Sequence, residues 1–123
     1  MPGNTPSAAL GPVSITRTGG IAGVNQSVEI TADGGWVYTD RRANKTERGT
    51  LTAEQQLRLL NLVRAPGFAD QILASPAPHS GCADSFRYII SVGDRSTSFD
   101  DCGQDERPAV AALLAAVADA TPL

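Results

Sequence analysis

Histidine, cysteine, aspartate and serine are the side chains that bind metals, attack carbonyls or move protons, and this chain places few of them in useful register. His79, the single histidine, lies in a Pro/Ser/Gly loop; with Cys82, Asp84 and the distant Cys102 it can be written as a zinc set, His-x-x-Cys plus one. Paired ligand spacing is missing from the second half of that set, so neither a metal nor any other cofactor is expected. Cys82 and Cys102 instead flank a candidate hairpin, the placement of a cross-strand disulfide. Closing such a loop stabilises a fold by roughly 3 kcal/mol in the chain-entropy view, and an oxidising compartment follows. Asp100 and Asp101 are neighbours on a strand, hence on opposite faces, and cannot work together as an acid/base pair. Ser91, Ser96 and Ser98 have no second histidine or lysine to activate them. Catalysis is therefore not expected.

The other stretch of chemical interest is Arg17-Thr18-Gly19-Gly20-Ile21-Ala22-Gly23, with three glycines in five positions between two runs of alternating polarity. Glycine leaves no side chain between its backbone and a neighbour, so a sheet ending in this loop can bring main chain close to a partner. The same residues also suit a plain hairpin turn with Ile21 at a strand mouth. A phosphate cradle fits poorly, because the loop has neither the Walker spacing nor a following helix.

At 123 residues the chain is long enough for one domain with a modest core. It has no apolar run that would cross a membrane as a helix. A net charge of -3 spread without blocks argues against nucleic acid. Arg41, Arg42, Lys45 and Arg48 form a basic run, diluted by Asp40 and Glu47, that reads as a solvated turn. Residues Met1 to Pro12 carry Pro2, Gly3, Pro6, Gly11 and Pro12 without a charged start or apolar segment; they read as a flexible leader, not an intact signal peptide. The sequons at Asn25 and Asn44 read as unmodified.

Around these residues the periodicity predicts the scaffold. Val13, Ile15 and Arg17 alternate with Ser14 and Thr16, and Val24, Gln26, Val28 and Ile30 alternate with polar neighbours, giving a hairpin across the glycine loop. Asp33-Gly34-Gly35 turns into a third strand at Trp36 to Thr39, and Arg41 to Gly49 reads as a polar loop. Thr52-Ala53-Glu54-Gln55 fits a capping box, after which Leu57, Leu59, Leu60 and Val63 form the stripe that faces the sheet until Pro66-Gly67 stops the helix. Phe68, Ile72 and Leu73 suggest a further turn or two before Pro76. Gly93-Asp94 closes a second hairpin that sets Tyr88 opposite Phe99 and Ile90 opposite Thr97. Asp105 and Glu106 lead into a last helix at Pro108 with Val110, Leu113, Leu114 and Val117 on one side. The expected fold is α+β: a single domain over 13–120, with an antiparallel sheet of about four to five strands and helices packed on one face.

Taken together, the Thr16-to-Gly23 strand and loop, the Gln55-to-Val63 helix, the Gly67-Phe68-Ala69 step, the Asp84-to-Val92 strand and the final Ala/Leu helix resemble the emfourin family of proteinaceous inhibitors of thermolysin-like zinc metallopeptidases. The resemblance runs from Val13 to about Ala120 and rests on the order and spacing of short motifs. It implies non-covalent blockage of a peptidase cleft; the oligomeric state is left open, with a monomer expected. On that view Arg17, Thr18, Gly19, Gly20, Ile21, Ala22 and Gly23 are the candidate contact, with Ile21 offered to the apolar pocket for the residue after the scissile bond and Arg17 to a cleft carboxylate. The cysteine pair and the leader stand outside the family pattern and point to a secreted, periplasmic or cell-surface setting, the cytoplasm being the alternative. A secreted accessory module with no peptidase target is the competing reading.

Overall fold

In a computed structural model, residues 12–20, 23–73, 86–100 and 107–123 are described, and they form an α+β domain. The elements follow as β1 (Val13–Gly19), β2 (Val24–Ile30), β3 (Gly35–Asp40), β4 (Lys45–Thr50), α1 (Ala53–Arg64), α2 (Phe68–Leu73), β5 (Phe86–Val92), β6 (Arg95–Asp100) and α3 (Pro108–Ala120). All six strands join one antiparallel sheet in the order β4-β3-β2-β1-β5-β6. The first strand thus lies inside the sheet, hydrogen-bonded on both sides.

The sheet holds one strand more than the four to five expected, and the addition is β4. Its residues Lys45 to Thr50 fall in the stretch read as a polar loop, because they include no apolar side chain and so give no period-two signal. An edge strand needs none: charged residues there discourage pairing with another chain. What fixes it is the neighbour. Gly49 pairs with Trp36, and a Cβ at Gly49 would collide with the indole, so the ring sits directly against bare backbone. Trp36 itself is half-buried against the core.

The cross-strand register sorts the core face into rows. One row runs Trp36, Ile30, Val13, Val92; the next runs Tyr38, Val28, Ile15, Ile90. These rows and the helix residues Leu59, Phe68, Ile72, Val110, Leu113 and Val117 make up the core. Val13, Ile15, Val28, Ile30 and Ile90 are essentially inaccessible, whereas on the opposite face Glu29, Arg87 and Ile89 are exposed. One face is therefore covered and the other is open, the pattern that alternation in an antiparallel sheet produces. The β5–β6 register pairs Tyr88 with Phe99 and Ile90 with Thr97, as the turn at Gly93-Asp94 dictates.

The capping box at Thr52 forms in both directions: its hydroxyl accepts from the Gln55 N–H at 3.1 Å, and the Gln55 side chain accepts from the Thr52 N–H at 2.8 Å. The buried stripe of α1 centres on Leu59, with Leu60, Leu62 and Val63 half-buried beside it. Leu57, expected on that stripe, is 57% exposed; two residues of helix rotate a side chain by about 200°, so a stripe centred on Leu59 turns position 57 to solvent. At α3 the cap comes from a distance. The Ala109 N–H donates to the Gln71 side chain at 2.8 Å, while Arg107, only 6% exposed, donates to Thr97 Oγ1 at 2.7 Å and to the Gln71 carbonyl at 3.3 Å. That knot ties α2, β6 and α3 together.

Of the leader, only Pro12 is described, and its carbonyl accepts from the Gly93 N–H at 2.8 Å. At the other end order continues past Ala120, with Thr121 bonded to the Val117 carbonyl and Leu123 half-buried against the core. The candidate disulfide Cys82–Cys102, His79, Asp84, Asp101, Asp105 and Glu106 lie outside the described residues.

Candidate recognition site

Because β1 and β2 pair from Val13–Ile30 through Gly19–Val24, the glycine loop is the tip of a fully registered hairpin. A Gly23 N–H to Gly20 carbonyl bond of 3.2 Å closes it, and Gly19, Gly20 and Gly23 all have positive φ. Arg17, Thr18, Gly19, Gly20 and Gly23 are described; Ile21 and Ala22 are not. The second partner of β1 completes the seat. Gly19 pairs with Phe86, and a Cβ at Gly20 would come within 2.9 Å of the Phe86 ring, so the loop backbone rests directly on that aromatic side chain.

Two residues in from the tip, the core face changes from apolar to polar. The third row reads Lys45, Asp40, Gln26, Arg17, Tyr88. Arg17 donates to Gln26 Oε1 from Nε at 2.9 Å and from Nη2, and its guanidinium carbon lies 5.2 Å from the centre of the Phe86 ring. Gln26 in turn donates to Asp40 Oδ2 at 3.4 Å, and the other Asp40 oxygen accepts the Ala43 N–H at 3.0 Å. That amide above all, with Gln26 aiding, holds the Asp40 carboxyl below its ordinary value. Lys45 is raised by its bond to Glu47, 3.0 Å away. Behind the row, burial pushes the Tyr38 phenol up and the Asp40 charge adds to this. Arg17, the residue offered above to a cleft carboxylate, is half-buried, bonded to Gln26 and set over the Phe86 ring.

The β3–β4 turn stands beside this hairpin at the same end of the sheet. The Arg41 N–H donates to the Asn25 carbonyl at 2.9 Å, and the Arg42 guanidinium lies over Gly23, where a Cβ would be 3.2 Å from Nη1. Sequence reasoning missed this pairing of tips. The neighbour relation follows only from the β2–β3 register, which brings Gln26 opposite Asp40 and so Asn25 beside Arg41.

Among the described residues no group of three or more His, Cys, Asp or Glu side chains is placed to hold a metal. Ser91 and Ser96 pair on the open face, and Ser98 Oγ accepts from Arg87 at 3.2 Å. No helix among the described residues is long and apolar enough to cross a membrane. What the described residues offer is two adjoining hairpin tips with a hydrogen-bonded polar row under them. Neither a family model nor a curated protein matches the chain.

Proposed function

We propose that the chain is a small, non-catalytic inhibitor of thermolysin-like zinc metallopeptidases that blocks the active-site cleft with the loop 18–23. The observation that carries this reading is the mounting of the loop: its stem is laddered to β2 on one side and β5 on the other, and Arg17, Gln26 and Phe86 brace it from below. A free peptide loses conformational freedom when it enters a cleft, and a segment whose stem is held by strand ladders on both sides has less of that freedom to lose. Glycines at 19, 20 and 23 allow its backbone to approach a cleft floor. The motif order from Val13 to Ala120 adds the resemblance to emfourins, and the cysteine pair adds an extracytoplasmic setting.

The test is a titration against a thermolysin-like enzyme, a serine protease and a cysteine protease, with Ile21→Asp alongside. Selective, stoichiometric loss of the first activity is expected. Ile21→Asp should weaken it about a hundredfold, since a carboxylate cannot be desolvated in an apolar pocket without a partner, with the melting temperature unchanged. Full inhibition by a folded Ile21→Asp chain would sink the loop assignment. A second reading draws on the Gly23–Gly20 closing bond, which is that of an ordinary turn: a secreted accessory module, selected by indifference of the whole panel.

A further inference from the structure

The β3–β4 tip carries charge that finds no ion-pair partner among the described residues. Arg41 and Arg42 are exposed, and neither guanidinium forms an ion pair among the described residues. The acids nearest in sequence are already engaged: Asp40 accepts from the Ala43 N–H and Gln26, and Glu47 holds Lys45. Two exposed arginines thus stand on this tip of a protein of net charge -3, with the Arg42 guanidinium beside Gly23 and the turn tied to β2 by the Arg41–Asn25 backbone bond. A planar guanidinium pairs with carboxylates through two parallel hydrogen bonds, and unpaired charges at an interface steer encounter.

We propose that the Arg41-Arg42 tip is a second recognition element that docks on an acidic protein surface flanking the site the glycine loop enters. The inference rests on the inhibitor reading for the identity of the partner, and on the charge and position of the tip for its chemistry. Because the two tips are adjacent, the guanidinia meet carboxylates on the rim while the loop enters the cleft. Their contribution falls on the association rate and fades with salt.

Two arms test it. In the first, labelled wild-type chain is titrated with hexaglutamate at low salt and followed by amide chemical shifts. Shifts confined to residues 23 and 41–44, abolished in Arg41→Glu/Arg42→Glu, are expected. No shift, or shifts centred elsewhere, would overturn the proposal, as would tighter binding of a single-stranded oligonucleotide at the same amides, which would assign the tip to phosphodiesters. In the second, association with a thermolysin-like peptidase is timed from low salt to about 0.5 M, where screening reaches within a few ångströms. The wild-type rate should fall with salt, and the doubly reversed variant should start at least about tenfold slower and show a flat or rising salt profile. Equal rates and equal salt slopes would overturn the proposal. A wild-type chain that inhibits no peptidase would fail the inhibitor reading alone, leaving the peptide arm to decide the tip.

Discussion

Gly20 concentrates the constraint at the tip in one residue. Its φ of +76° lies in the left-handed region, and any Cβ would meet Phe86 Cε1 at 2.9 Å. An alanine there has two costs, backbone strain of about 1–2 kcal/mol and displacement of the ring that supports Arg17. Gly93 separates them, since it has φ +62° with open space where its Cβ would be. Urea unfolding of Gly93→Ala should therefore show only the conformational loss, and Gly20→Ala a larger one, together with a changed environment for Arg17. Equal losses would mean that Phe86 does not seat the loop. That glycines in these turns tolerate positive φ was legible in the sequence. The ring beneath Gly20 was not, because Phe86 is 66 residues away and reaches the loop only through the β1–β5 pairing.

At the scale of elements, the β1–β2, β3–β4 and β5–β6 hairpins differ in how plainly the sequence announces them. The β1–β2 and β5–β6 pairs alternate apolar with polar residues about glycine turns, and their registers follow from that pattern. In the β3–β4 hairpin only β3 carries apolar residues, so its partner is invisible to hydrophobic periodicity and is held by backbone bonding, the Trp36–Gly49 contact and Asp40. Asp40 gives that tip a pH signature. Its carboxyl titrates lower folded than unfolded, chiefly because the ionised form accepts the Ala43 N–H. The stabilisation is then complete above the ordinary aspartate value of about 3.9 and is lost as pH falls through the lower folded value. An amide-shift titration of Ala43 should show one protonation step with its midpoint below that ordinary value and no step across neutral pH, and Asp40→Asn should abolish it. A step at or above the ordinary value would mean that the carboxylate does not cap the tip.

Over the whole molecule, the division of labour runs along the sheet. Two apolar rows under the helices provide the core, while the next row and the tips beyond it carry charge and bare backbone. The capping box of α1, its stop at Pro66-Gly67 and the α3 stripe were legible because they depend on residues within a few turns of one another, whereas the α3 cap is supplied by Gln71, 38 residues away, and was not. The end of the sheet that carries the tips was legible only as a glycine loop, since its braces come from β2, β3 and β5 and depend on β1 lying inside the sheet. This division predicts that stability and recognition separate. Leu113 is fully buried on α3. Truncating it to alanine should cost about 2–5 kcal/mol, a large share of the roughly 5–15 kcal/mol of a domain this size. The loop is instead anchored by strand ladders that the substitution leaves in place. Leu113→Ala should thus unfold at distinctly lower urea yet inhibit, per folded molecule, as tightly as wild type, whereas Ile21→Asp should do the reverse. Active-site titration of each variant beside its unfolding curve tests this directly. A loss of inhibition in Leu113→Ala beyond its unfolded fraction would show that the helix layer shapes the tips after all.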